Sequence, residues 1–226
     1  MLGMFSIAAL VLHFLALGYL ANEEIRDVDM SVLTGHTIVI DPGHGGIDSG
    51  ASGNNVIEKE ITLEISRKLA EILESHGGKV FLTRERDLDY YKRGRSGKRQ
   101  DLLTRIDIME KSGAEIFISV HCNAFHAVNL SGAQVFYSPK FTQNKMLADR
   151  LQQNLREFPP GNKRQAKEDS HILILNDINI PGVLIEAGYV TNQKEASLLS
   201  DNSYQQKLAE QIARGLAYHF SQNAAR

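Results

Sequence analysis

The fold of this chain is first indicated by residues 37–46, which read TIVIDPGHGG. The first four of these residues are β-branched, which favours a strand over residues 37–41. The glycines that follow Pro42 predict a turn directly after the strand, because glycine adopts backbone conformations that other residues avoid. His44 stands inside that turn, where the strand has just ended.

After this stretch, apolar runs alternate with segments of helical periodicity. Segment 59–78 has Ile61, Ile65 and Leu69 at helical spacing and ends in two glycines. Further strands are predicted in KVFLTR, AEIFISVHCNA, GAQVFYS, HILIL and GVLIEAGYV, and further helices in DLLTRIDIMEKSG, NKMLADRLQQNLREF and SYQQKLAEQIARGLAYHF. This alternation predicts an α/β domain with a mostly parallel (mixed), twisted sheet of about six strands and helices on both faces.

Composition supports one ordinary globular domain. The chain has 226 residues, 42% of them hydrophobic and 23% charged, with a net charge of −2. These values argue against disorder and against nucleic acid as a partner. The single cysteine, Cys122, excludes an intrachain disulfide. We place the domain at residues 35–222, preceded by a polar linker at 22–34.

Residues 1–21 have a different character. No Lys, Arg, Asp or Glu occurs between Leu2 and Leu20, and nineteen helical residues rise about 28 Å, close to the thickness of a bilayer. We therefore predict an N-terminal transmembrane anchor that tethers the domain to the outer face of the cytoplasmic membrane. A cleaved signal segment, which would leave the domain secreted, is the alternative, although the basic stretch of a standard signal peptide is missing.

Polar side chains stand where the predicted strands end. His44, His121 and Glu186 follow or close three strands, and Glu58 precedes the first helix. In α/β folds the carboxyl ends of the strands form one edge, where active sites gather. Two imidazoles and a carboxylate with one open position are a catalytic zinc set, and a second carboxylate can act as general base. From the residues alone, a zinc site and ordinary structural roles both stay open.

Five motifs add a resemblance to this picture. IVIDPGHGG, EKEITL, VFLTRERD, FISVHCNA and PGVLIEAGYVTN resemble, in order, the signatures of the zinc-dependent N-acetylmuramoyl-L-alanine amidases of the Amidase_3 type. The resemblance covers residues 37–220. It implies that His44, Glu58 and His121 bind Zn²⁺ and that Glu186 is the catalytic base. It also implies hydrolysis of the amide between the lactyl group of N-acetylmuramic acid and L-alanine in peptidoglycan.

Within the family, the chain resembles the amidases of sporulation. The domain has no wall-binding module, and it carries an insert, YYKRGRSGKRQDLLTR, at residues 90–105. This likeness implies spore-cortex peptidoglycan as substrate and a partner deacetylase that converts the product into muramic-δ-lactam. An activating partner protein also stays open, and a monomer is favoured. The alternatives are a zinc peptidase or amidohydrolase of other specificity, and a non-catalytic, membrane-anchored wall-binding module.

Secondary roles are predicted for further residues near these motifs. Arg84, Arg105 and Asn123 are candidates for substrate binding, with structural ion pairing as the alternative for the two arginines. Asp41 is a candidate partner that fixes the tautomer of a ligand histidine, or else a cap of the turn.

Two features beside the motifs have competing interpretations. The basic run at residues 92–99 either steers the carboxylates of the peptide stem or is a solvated loop. Cys122, one residue after a predicted ligand, is either a nucleophile or a packing residue; we predict packing on the opposite face of the strand, since side chains alternate along a strand.

Overall fold

The computed structural model describes residues 27–91, 97–125 and 130–224, and in addition residue 13. The described part holds eight strands: β1 (Thr37–Pro42), β2 (Ser52–Gly53), β3 (Val56–Ile57), β4 (Lys79–Leu82), β5 (Ile116–Asn123), β6 (Gln134–Tyr137), β7 (Lys167–Glu168) and β8 (Gly182–Tyr189). It holds six α-helices: α1 (Glu58–Ser75), α2 (Gly97–Lys111), α3 (Thr142–Glu157), α4 (Leu173–Asn176), α5 (Gln193–Leu199) and α6 (Asn202–Ala224). A short 3-10 helix, Met30–Leu33, precedes β1.

Six strands form one sheet in the order β4-β1-β5-β8-β6-β7, and β2 pairs with β3 in a separate small hairpin. The neighbouring strands β4, β1, β5 and β8 are parallel to one another, whereas β6 runs antiparallel to β8. The sheet is therefore mixed and mostly parallel, which confirms the predicted fold class. The carboxyl ends of β1, β5 and β8 share one edge, as the position of the predicted site requires.

Helices cover both faces of the sheet because the central strands are apolar on both sides. Ile38 and Ile40 of β1 belong to one cluster with Leu69 of α1, and Val39 belongs to a second cluster with Met109 of α2. The first cluster also holds α3 and α6 side chains, and the second holds those of α4. The core of the domain thus consists of two apolar layers separated by the sheet.

One predicted strand is wrong. HILIL forms the short helix α4, which packs Ile174 and Leu175 against the second cluster. The turn before it is set by Asp169, whose Oδ1 accepts hydrogen bonds from the amides of His171 and Ile172. A short apolar run fits a buried strand or a buried helix equally well, so periodicity could not separate the two. The sixth strand of the sheet is β7 instead, and the sequence did not predict α5.

The N-terminal predictions fall mostly outside the described residues. Apart from residue 13, segment 1–21 is not described, and no helix in the described ranges is long and apolar enough to cross a membrane. The anchor therefore stays a prediction. Within the segment predicted as a linker, the 3-10 helix Met30–Leu33 packs the side chain of Leu33 into the core.

Candidate active site

His44 is held in an uncommon backbone conformation directly after β1. Its φ angle is 60°, in the left-handed region that non-glycine residues rarely adopt. The turn lies so close to β5 that a Cβ atom on Gly43 would come within 2.4 Å of His121 Cε1. Glycine at position 43 is therefore required for the two imidazoles to approach each other, and their ring centroids are 4.9 Å apart.

Glu58 lies between these two histidines. It is the first residue of α1, and its Oε1 is 3.2 Å from His44 Nε2 and 3.0 Å from His121 Nδ1. One ligand atom from each of the three residues lies within 4.8 Å of the others. Ligands bound tetrahedrally at about 2.0–2.2 Å from one Zn²⁺ lie roughly 3.3–3.6 Å apart, so the two Glu58–histidine distances are close to those of a zinc site.

The carboxylate of Glu58 is fixed from two further directions. Its Oε2 accepts a hydrogen bond from the amide of Ala51 (2.7 Å), and its Oε1 accepts one from the amide of Cys122 (2.9 Å). Burial would raise the pKa of Glu58, but hydrogen bonds from His121 and His44 outweigh it and hold this pKa well below its usual range. The lowered pKa favours the ionised carboxylate, which is the form that binds a metal.

Asp48 contacts the predicted ligand His44 at Nδ1, the ring nitrogen that does not face Glu58. Its Oδ2 lies 2.9 Å from His44 Nδ1, and its Oδ1 accepts a hydrogen bond from Lys98 Nζ at 3.1 Å. A carboxylate in this position keeps the proton on Nδ1 and leaves Nε2 free to bind a metal. Sequence reasoning missed Asp48, although its position four residues after His44 in HGGID was the available signal.

The predicted role of Asp41 needs correction accordingly. This carboxylate is buried, and it accepts hydrogen bonds from the hydroxyls of Thr83 (2.6 Å) and Ser119 (2.8 Å) and from Arg105 Nη1 (3.0 Å). These three donors face the interior below the site. Asp41 therefore supports the strands, while Asp48 contacts the histidine.

Glu186 lies beside the three predicted ligands. It is paired in register with His121, so both side chains project from the same face of the sheet. Its Oε2 is buried and, within the described ranges, has no hydrogen-bond partner. Burial raises the pKa of Glu186 to about 7, with Glu58 adding to the rise and the two histidines opposing it. A carboxylate with this pKa can both accept and release a proton near neutral pH.

The site opens into a cleft of about 1090 Å³. His44, His121 and Glu186 line it, together with an apolar wall at residues 172–174. Lys98 and Arg99 also line the cleft. They are the described basic members of the predicted run at 92–99, most of which lies outside the described residues. Whether this run steers substrate or is merely solvated stays a prediction.

The two arginines predicted as candidates for substrate binding are buried and hydrogen-bonded within the protein. Arg84 and Arg105 are only 2% and 1% exposed, and their guanidinium groups donate to backbone carbonyls and, for Arg105, to Asp41 and Asp101. Arg105 therefore makes the predicted structural ion pairs, whereas Arg84 donates to carbonyls and to the Thr62 hydroxyl; substrate binding by either arginine stays a prediction. The sequence around an arginine does not indicate whether its side chain faces a cleft or a backbone carbonyl. The predicted substrate contact of Asn123, at the end of β5, stays a prediction.

Cys122 lies on the face of β5 opposite to His121, as predicted. Its side chain is buried in the apolar cluster on the α1 side of the sheet, whereas His121 faces the site. Burial raises the pKa of this thiol well above its ordinary value, so the thiolate is not formed near neutral pH. Cys122 is therefore a packing residue, as alternation along the strand predicted.

Two imidazoles and an ionised carboxylate converge on one point, with a second carboxylate of raised pKa beside them and a cleft in front. On a mostly parallel α/β sheet, this arrangement is typical of a hydrolytic metalloenzyme.

Comparison with known proteins gives the family. Residues 38–218 match the family model Amidase_3, N-acetylmuramoyl-L-alanine amidase, and the chain belongs to this family. It is 36% identical over 222 residues to the germination-specific N-acetylmuramoyl-L-alanine amidase of Bacillus subtilis (strain 168), an alignment that covers 96% of this chain and 94% of the relative.

Solved structures agree with this assignment. The CwlD amidase from Clostridioides difficile, solved in complex with the GerS lipoprotein, superposes with a TM-score of 0.79 at 40% identity, over 83% of this chain and 99% of that one. The N-acetylmuramoyl-L-alanine amidase AmiC2 of Nostoc punctiforme gives a TM-score of 0.71 at 30% identity, over 85% and 99%. The chain is therefore a peptidoglycan amidase, which favours the amidase interpretation over the two alternatives from sequence.

Proposed function

We propose that this amidase cleaves the bond between the lactyl group of N-acetylmuramic acid and L-alanine in spore-cortex peptidoglycan by zinc-assisted hydrolysis. His44, Glu58 and His121 hold the ion, and Glu186 is the general base. One observation carries the proposal: Glu58 Oε1 lies within 3.2 Å of a nitrogen of each histidine, and Glu186, on the same face as His121, has a buried carboxylate oxygen with no hydrogen-bond partner among the described residues.

The chemistry of the donor set fits zinc. Two imidazole nitrogens, which are borderline ligands, and one carboxylate oxygen, which is a hard ligand, form a set that suits Zn²⁺ and leaves its fourth position open. When bound, zinc supplies Lewis-acid polarisation of the carbonyl and lowers the pKa of water. Asp48 favours this by holding the Nδ1 proton of His44, so that Nε2 presents its lone pair.

Glu186 would carry the proton through the reaction. Ionised Glu186 takes a proton from the attacking water, whose oxygen joins the lactyl carbonyl carbon. As the carbon–nitrogen bond breaks, Glu186 gives that proton to the departing amine of L-alanine and returns to its starting state. The products are a muramic acid with a free lactyl carboxylate and an intact stem peptide.

The cortex as substrate is inferred from relatives. A relative that aligns over nearly the whole chain is named for germination, and the CwlD structure is a complex with a lipoprotein. We extend both to this chain: it acts on cortex outside the cytoplasm, assembles with a lipoprotein partner at the membrane surface, and yields the product that a deacetylase converts into muramic-δ-lactam.

The test is digestion of purified peptidoglycan by the zinc-loaded full chain, with products identified by mass. The expected products from cortex are intact stem peptides with a free L-alanine amine. Glu186→Gln should release none while keeping its zinc, and Glu71→Gln, a matched change on the exposed surface of α1, should behave like wild type. Peptides shortened from within would show a peptidase, and equal rates on vegetative wall would remove the cortex assignment.

A further inference from the structure

Three consecutive backbone carbonyls, those of residues 42–44, converge on two buried guanidinium groups. Pro42 O accepts from Arg84 Nε (2.9 Å) and from Arg105 Nη1 (2.8 Å). Gly43 O accepts from Arg84 Nη2 (2.9 Å), and His44 O accepts from Arg105 Nη2 (2.6 Å). Carbonyls of an extended chain alternate in direction, so these bonds require the chain to curl around the two arginines. The curl contains His44 with its φ angle of 60°.

Arg84 also reaches the element that carries the second ligand. Arg84 Nη2 also donates to Lys59 O at 2.7 Å, one residue after Glu58 in the first turn of α1. Thr62, one turn further along α1, donates its hydroxyl to Gly43 O at 2.8 Å and accepts from Arg84 Nη2 at 3.1 Å. The His44 turn and the start of α1 are therefore joined through one side chain.

Asp41 extends the connection to the third ligand. Arg105 Nη1 donates to its Oδ1 at 3.0 Å, and Ser119, two residues before His121 on β5, donates to its Oδ2 at 2.8 Å. Every member of this group is nearly inaccessible to solvent. The planar guanidinium presents five donors in a fixed fork, which a flexible lysine ammonium does not reproduce. Side chains locked in this way hold the groups they contact in one geometry.

We propose that Arg84 and Arg105, joined through Asp41, are positioning residues that hold the backbone beside all three ligands, so that the metal site is formed before the ion binds. The assignment rests on the proposed metal site. Both guanidinium groups are buried and bonded to the backbone around the site, so their effect is exerted on ion affinity through His44, Glu58 and His121.

The test measures Zn²⁺ affinity of the full chain in detergent by competition with a chromogenic chelator, well below the unfolding temperature of each variant. Arg105→Lys and Arg84→Lys keep the charge but lose the fork, and each should weaken zinc binding by about tenfold or more, in line with the loss on removing partners of metal ligands. The visible absorption of the Co²⁺-substituted variants should change as well, because it reports coordination geometry. Arg150→Lys, at an arginine that donates to His219 O between α3 and α6, is the matched control and should bind zinc like wild type.

Two further variants separate positioning from general destabilisation. Leu151→Ala, in the core at α3, lowers stability far from the site, and its zinc affinity should stay unchanged. If an arginine variant does not fold, position 62 provides a second test. Thr62→Val removes the hydroxyl that donates to Gly43 O, and zinc affinity should fall. Thr62→Ser keeps this hydroxyl, and zinc affinity should stay at the wild-type value. Wild-type affinity in the arginine variants, or a loss no greater than in Leu151→Ala at equal stability, would overturn the positioning role. Failure of the wild type to bind zinc at all would refute the proposed metal site instead.

Discussion

Replacing Glu186 with glutamine should stabilise the metal-free protein while it abolishes turnover. The carboxylate of Glu186 has its pKa raised from 4.5 to about 7 by burial, so the folded state holds the proton more tightly than the unfolded chain does. Below pH 4.5 both states are protonated, and the residue does not favour unfolding. As the pH rises through 7, the unfolded state is favoured progressively, and the effect then levels off. Glutamine has similar size and no charge, so it removes this pH-dependent term.

The magnitude follows from the pKa difference. A shift of roughly 2.5 units corresponds to about 3 kcal/mol, of which about 2.5 kcal/mol is lost between pH 5 and pH 8.5. The cost of burying the amide of glutamine is the same at every pH, and the other titrating groups are common to both proteins. The difference in unfolding free energy between Glu186→Gln and wild type should therefore grow by about 2.5 kcal/mol over this interval. In a domain of this size that is a gain of roughly 5–10 °C in Tm at pH 8.5 relative to pH 5.

The assay is thermal and denaturant unfolding of both proteins after dialysis against a chelator, at half-unit steps of pH. The control is Glu71→Gln, whose carboxylate is exposed and whose difference from wild type should stay flat with pH. A flat difference for Glu186→Gln as well would show that Glu186 is not held protonated by its surroundings. The reasoning that makes it a base poised near neutral pH would then fail.

Further substitutions address the ligands and their supports. Asp48→Asn should lower zinc affinity by 10–100-fold, because the carboxylate that holds the Nδ1 proton of His44 is removed, and an unchanged chelator competition would contradict this. Gly43→Ala should cost most of the zinc affinity, since the new Cβ would come within 2.4 Å of His121 Cε1, and a zinc content of one per chain after dialysis would refute it. Excess zinc should raise the Tm of wild type but not of Glu58→Gln, because an ion that binds only the folded state stabilises it, and equal shifts in differential scanning fluorimetry would place the ion elsewhere.

Sequence reasoning predicted the elements with long, regular patterns. The apolar run at residues 38–40 and the helical spacing of Ile61, Ile65 and Leu69 both correspond to buried positions. The four residues predicted from the family motifs for metal binding and catalysis, His44, Glu58, His121 and Glu186, lie together at the carboxyl edge of the sheet.

Features that depend on three-dimensional neighbours were not predictable in the same way. HILIL is too short for its periodicity to distinguish a helix from a strand. The orientations of Arg84 and Arg105 are set by the carbonyls of residues 42–44, which are distant in sequence, so no local pattern indicates them. Asp48 was missed for a related reason: its role follows from the left-handed turn at His44, which brings position 48 back against the imidazole.

Because Glu58 is the first residue of α1, the ligand carboxylate lies at the positive end of a helix of 18 residues. Such an end carries about half an elementary positive charge, which by itself repels a cation. The full negative charge of Glu58 outweighs that partial charge and makes the local field attractive. A histidine at position 58 would offer a zinc nitrogen but no compensating charge, so the direction of this helix favours a carboxylate over a third histidine at this position.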